Sequence, residues 1–175
     1  MFNLAAGSLV ESRNQLAGTS TNAGAAKSLA LHNLLNMHEW FFPQFFLEDL
    51  RETTGYSLSA PVTQAANGKT QIAIEGSLIP SGQIDAATAQ VLSRATQFQL
   101  VLDGVTYLPV SLSFVLHPDD DSLNGPPVVY QLSQYQLQQG VQQPLHIQKY
   151  VQGTLTQDIT IHTLALNTGL TAANF

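Results

Sequence analysis

The stretch TQFQLVLDGVTYLPVSLSFVL, residues 96–116, decides the fold class. Phe98, Leu100 and Leu102 alternate with polar or opposite-facing neighbours, and Leu108, Val110, Leu112, Phe114 and Leu116 do the same after an Asp103-Gly104 pair. A period of two marks a strand with one face buried, and Asp-Gly between two such runs predicts a two-residue hairpin.

Outward from this hairpin the pattern persists. Thr70–Ile79 carries Ile72, Ile74 and Leu78 on one face. Asp85 is placed to cap a short helix over Ala86–Ser93. Residues 117–127 hold Pro118, Asp119–Asp121, Asn124, Gly125, Pro126 and Pro127 and read as a loop. Val128–Leu137, Leu145–Gln152 and Thr154–Leu166 read as further strands. The expectation is a mainly β, antiparallel β-sandwich or jelly-roll type of body, residues 56–175, because strands with short turns and no βαβ alternation exclude a parallel sheet.

Residues 1–55 differ in kind, reading as an N-terminal arm followed by a helix pair. Positions 3–28 are mostly Ala, Gly, Ser, Thr and Asn, interrupted by Gly7, Gly18 and Gly24, and suggest an extended or weakly helical arm. Leu31, Leu34 and Leu35 fall at helical spacing within 25–37, and Pro43 is suited to the first turn of a second helix ending near Gly55. Trp40, Phe41, Phe42, Phe45 and Phe46 concentrate the chain's aromatic surface here. Each buries some 150–250 Å², so they either plug one end of the β body or meet a partner.

The chain of 175 residues carries 6 Lys plus Arg against 12 Asp plus Glu, a net charge of −6, which gives a phosphate backbone nothing to meet and excludes nucleic acid as a partner. No apolar run is long enough for a membrane span. Charged residues make up 10%, well below the usual quarter, and 18 glutamines carry much of the polarity. Weak mutual repulsion favours close packing of copies. Cysteine is absent, removing disulfides, thiolate nucleophiles and Cys-based metal sites. The first ten residues lack the basic and apolar regions of a secretory signal, so synthesis in the cytoplasm is expected.

Sites for chemistry are few. His32 and His38 are six apart, which on a helix separates them by about 240°, so they cannot share a metal as an i, i+4 pair could. His146 and His162 fall on adjacent expected strands with Asp158 on the face of His162, an arrangement that could hold a metal or share a proton, against the simpler reading of two polar residues on a solvated face. Asp120, Ser122 and Asn124, followed by Gly125, present the front half of a calcium loop, but Gln131 stands where the bidentate acid belongs. Neither a G-x-S-x-G elbow nor a phosphate-binding glycine loop occurs.

The sequence therefore points to a non-enzymatic structural subunit of a large symmetric assembly. It would associate with its own copies and other assembly proteins through the arm and the aromatic helices, with a virus or phage particle as location. No cofactor beyond calcium and no small-molecule substrate is expected. The alternative is a carbohydrate- or surface-binding module, with Tyr107, Tyr130, Tyr135, Tyr150 and the Gln131–Gln143 run as its platform.

Overall fold

The structure is a computed structural model that describes residues 2–4, 7–14, 17–22, 25–28, 46, 47, 50, 51, 55–78, 84–118, 121, 123–164 and 169. The mainly β, antiparallel architecture is as expected. Its body is one sheet built from β5 (Tyr56–Leu58), β6 (Val62–Ala66), β7 (Lys69–Leu78), β8 (Phe98–Asp103), β9 (Pro109–Val115), β10 (Pro127–Gln138), β11 (Val141–Val151) and β12 (Thr154–Thr160). Strands β7 to β12 pair in sequence order, with β5 and β6 both on β7. This order is a meander; the Greek-key crossing of a jelly roll does not occur among the described strands.

Three hairpins turn on two residues each, Asn67-Gly68, Gln139-Gly140 and Gln152-Gly153, all with positive φ. That conformation matches the right-handed twist of the flanking strands, and glycine adopts it without steric cost. The Asp103-Gly104 hairpin is real but longer than expected. The Asp103 carboxylate accepts from the backbone of Val105 and Thr106, and Tyr107 takes a positive φ before β9 begins. The side chain imposes a wider turn than the dipeptide alone would.

The short helix α1 (Ala86–Ala95) starts where expected, with Asp85 accepting from Thr88 N at 2.9 Å. It ends on Thr96, whose hydroxyl accepts from Leu78 N and lies within donating distance of the carbonyls of Leu78 and Leu92. A single buried hydroxyl thereby ties the helix end to the last residue of β7.

The arm is corrected. Residues 2–28 form a separate four-stranded antiparallel sheet, β1 (Phe2–Leu4), β2 (Gly7–Asn14), β3 (Ala17–Asn22) and β4 (Ala25–Ser28), so a helix cannot begin at Ala25. Of the expected second helix, Phe46, Leu47, Leu50 and Arg51 are described and helical; the rest of both helices lies outside the described residues.

Pairing register sorts the large sheet into two faces. Gly76, Phe98, Phe114 and Val128 stand opposite one another across four strands, as do Ile74, Leu100, Leu112, Tyr130 and Lys149 one level on. This inner face holds the core: Phe46 from the helical segment packs with Leu100, Leu112, Phe114, Val128, Tyr130, Leu132 and Ile147. Fully burying each such side chain contributes roughly 1.5–3 kcal/mol.

Candidate functional site

The outer face carries the polar residues. Between the core positions lie Glu75, Gln99, Ser113, Val129 and Tyr150, paired in one row across β7 to β11. A neighbouring row runs from buried Ala73 and Val101 to Ser111, Gln131, Gln148 and Asp158, and the next holds Ser133, His146 and Thr160.

Where β10, β11 and β12 run side by side, Ser133 Oγ lies 3.2 Å from His146 Nδ1, and His146 Nε2 lies 2.6 Å from Asp158 Oδ1. Gln148 Nε2 donates to the other Asp158 oxygen at 3.2 Å. The hydrogen bonds from His146 and then Gln148 hold the Asp158 carboxyl below the usual aspartate range. An ionised carboxylate only accepts, so Nε2 carries the proton, and in neutral imidazole Nδ1 is left to accept from Ser133. The order hydroxyl, imidazole, carboxylate is that of a nucleophilic triad. Its setting is different: Ser133 is exposed and the Asp158 side chain is 50% exposed, on an open sheet face. Triads derive their power from donors preorganised around a water-excluded centre.

The expected histidine pair is corrected by this geometry. Asp158, not His162, meets His146, because Thr160 is the residue paired opposite His146 and His162 falls two places further. Among the described residues no group of three His, Cys, Asp or Glu side chains is placed to hold a metal.

At the other end of the outer face, Ser57, Glu75, Gln97, Gln99, Ser113 and Val129 border an open trough of 560 Å³ running over β5 and β7 to β10. Sequence reasoning missed both this trough and the Ser133 and Gln148 contacts. The signal for them is cross-strand register, which the sequence does not state.

The tyrosine platform does not form. Tyr130 is 2% exposed and belongs to the inner face, and Tyr135 packs against the same core while its hydroxyl donates to Pro109 O at 2.7 Å. Burial raises the Tyr135 phenol above its ordinary range. Tyr107 sits exposed in the β8–β9 turn, and Tyr150 faces outward. Four tyrosines thus occupy three separate places.

Of the calcium candidates, Asp120 and Ser122 lie outside the described residues. Asn124 donates its amide to Asp121 Oδ2 at 2.9 Å, while Asp121 Oδ1 accepts from Leu123 N and Asn124 N. These bonds, the Asn124 side chain first, hold the Asp121 carboxyl below the usual range. Of the aromatic interaction set, Trp40, Phe41, Phe42 and Phe45 lie outside the described residues. Phe46 is 6% exposed and meets Phe98 and Tyr56 edge-on, with ring centres 5.1 and 6.5 Å away. In the described residues it serves as a plug on the inner face.

No known protein family and no curated protein matches the chain. The fold has a solved counterpart. It is the crystal structure of a "putative outer membrane lipoprotein-sorting protein domain from Vibrio parahaemolyticus", with 14% sequence identity, a TM-score of 0.54 and coverage of 96% of this chain and 68% of that one. At this identity the likeness is one of fold. It corrects the expected virion location: the counterpart is described by lipoprotein sorting at a bacterial outer membrane and not as part of a particle. No helix among the described residues is long and apolar enough to cross a membrane.

Proposed function

We propose that the chain is a non-enzymatic binding module that holds an apolar chain, such as the acyl groups of a lipid-modified protein, against the inner face of its large sheet. The observation that carries this reading is the seat of Phe46: a residue from a helical segment joins the buried cluster of Leu100, Leu112, Phe114 and Tyr130 and meets Phe98 and Tyr56 edge-on. Around it Leu102, Leu116, Val151, Ile159 and Ile161 are only partly buried. A plug carried on a separate segment can be exchanged for another apolar group at modest cost, since one buried surface replaces another. The fold shared with the Vibrio domain supports the same reading and a bacterial envelope setting. Gel filtration of the full chain with a diacylated cysteinyl peptide tests it. Co-elution at one peptide per chain is expected; elution of the peptide apart from the protein overturns the reading.

A second reading rests on a different observation. The four-stranded sheet β1–β4 is built largely from Ala, Gly, Ser, Thr and Asn, with Phe2, Leu4, Leu9 and Val10 as its large apolar residues. A small sheet needs something to pack against for stability, and another copy of the chain or a further assembly protein would supply it. Native mass measurement of the full chain decides: multimers support assembly, and a strict monomer ends it.

A further inference from the structure

We propose that the outer-face trough is a binding site for a neutral, polyhydroxylated chain, an extended oligosaccharide lying across the strands. This goes beyond the apolar-chain reading, because the polar side chains that define the trough, Glu75, Gln99 and Ser113, belong to the outer row, although Gly76, Phe98, Phe114 and Val128 of the inner row also border it.

The trough's polar groups are of the kind that hydroxyls satisfy. Glu75 is its single charged lining residue, and no cation lines it. Phosphate or carboxylate ligands are therefore disfavoured by charge, whereas a carboxylate makes strong charge-assisted bonds to the neighbouring hydroxyls of a sugar. Gln97 and Gln99 each offer an amide that both donates and accepts, and Ser113 adds a hydroxyl. Among the described residues, the side chains of Glu75, Gln97, Gln99 and Ser113 engage no protein partner by hydrogen bond, although Gln99 and Ser113 are half-buried. Half-buried polar groups left to water are matched to a ligand that replaces that water with hydroxyls.

The remaining lining is mostly apolar: Val115, Pro127 and Val129 lie between the polar groups, and Phe98, Phe114 and Val128 border the trough from the adjoining row. Such alternation suits a sugar, whose ring edges are polar and whose faces carry C–H groups. Tyr150, opposite Val129 on β11, extends the row with an aromatic ring. From Glu75 on β7 to Tyr150 on β11 the row spans four strand spacings, about 19 Å. The trough's 560 Å³ falls within the range typical of ligand sites.

The test is an amide-resolved NMR titration of the full chain with chitotetraose and cellotetraose, repeated on Glu75→Ala and Gln99→Ala. Both substitutions remove side chains outside the core, so the spectrum reports folding and binding together. Shift changes confined to the outer-face stretch around Glu75, Gln99, Ser113 and Tyr150, with the dissociation constant raised at least tenfold in both variants, are expected. No shift with millimolar oligomer, shifts mapping elsewhere, or unchanged affinity in the variants would overturn the proposal. Failure here leaves co-elution of a diacylated peptide untouched, and the reverse holds as well.

Discussion

His146 Nε2 lies 2.6 Å from Asp158 Oδ1, joining β11 to the edge strand β12 through side chains that face away from the core. Because this bond and that from Gln148 favour the ionised acid, Asp158 titrates below its ordinary value of 3.8. The folded-state value is the lower one, so the stabilisation is present above the unfolded value and disappears as pH falls through the folded one. In a carbon-detected NMR titration, His146→Ala raises the Asp158 midpoint toward 3.8, and Gln148→Ala raises it by less. An unchanged midpoint in His146→Ala would show that the bond does not govern the carboxyl.

The same row bears on the non-enzymatic reading. Ser133 has a base and an orienting carboxylate in series, yet it stands exposed on an open face. Without a water-excluded surrounding, its hydroxyl keeps an ordinary serine's reactivity. Incubation with a fluorophosphonate probe and mass analysis should leave Ser133 unlabelled. Stoichiometric labelling that is lost in His146→Ala would establish a catalytic serine and refute the non-enzymatic proposal.

Thr96 and Leu78 give a stability prediction. The Thr96 hydroxyl, in a residue 2% exposed, is the acceptor for Leu78 N. Thr96→Val keeps the shape and leaves that buried N–H without its partner, which costs about 1–3 kcal/mol. Thr96→Ser retains most of the stability, so urea unfolding of the pair separates the lost hydroxyl from the lost methyl.

Gly76 is required by close packing. A Cβ there would run into the Phe98 ring and the Leu58 side chain, and Phe98 in turn seats Phe46. Gly76→Ala should destabilise the chain by about 1–3 kcal/mol through overpacking. Phe46→Ala should cost about 3–5 kcal/mol if the segment cannot collapse into the space left. Denaturant midpoints read both, and a Phe46→Ala protein as stable as the parent would deny the plug its place in the core.

Local signals made much of the body legible. Asp85 before an apolar-spaced run, and alternation on either side of Asp103-Gly104, act over a few residues and need no tertiary context. Gln139-Gly140 and Gln152-Gly153 escaped notice because glutamine is not a usual partner of glycine in such turns, and Gln142, Gln143 and Pro144 disguise the start of β11. The four strands in residues 2–28 escaped because small polar residues give no alternation to detect.

The site was less legible than the fold. Ser133, His146 and Asp158 meet only through register, and past Gln134, which has a positive φ, Tyr135 packs against the core out of step with Val128, Tyr130 and Leu132. Pairing stays in register across it, with Ser133 opposite His146 and Tyr135 opposite Pro144, so a local backbone conformation and no inserted residue breaks the alternation. The trough depends on five strands at once and leaves no contiguous trace.

The most direct test of the central claim is a methyl-resolved NMR titration of the full chain with the diacylated cysteinyl peptide. Shift changes are expected at Leu102, Ile147, Val151 and Ile159 on the inner face, with Val115 and Val129 on the outer face unmoved. Changes at Val115 and Val129 alone, or none at all at saturating peptide, would contradict it.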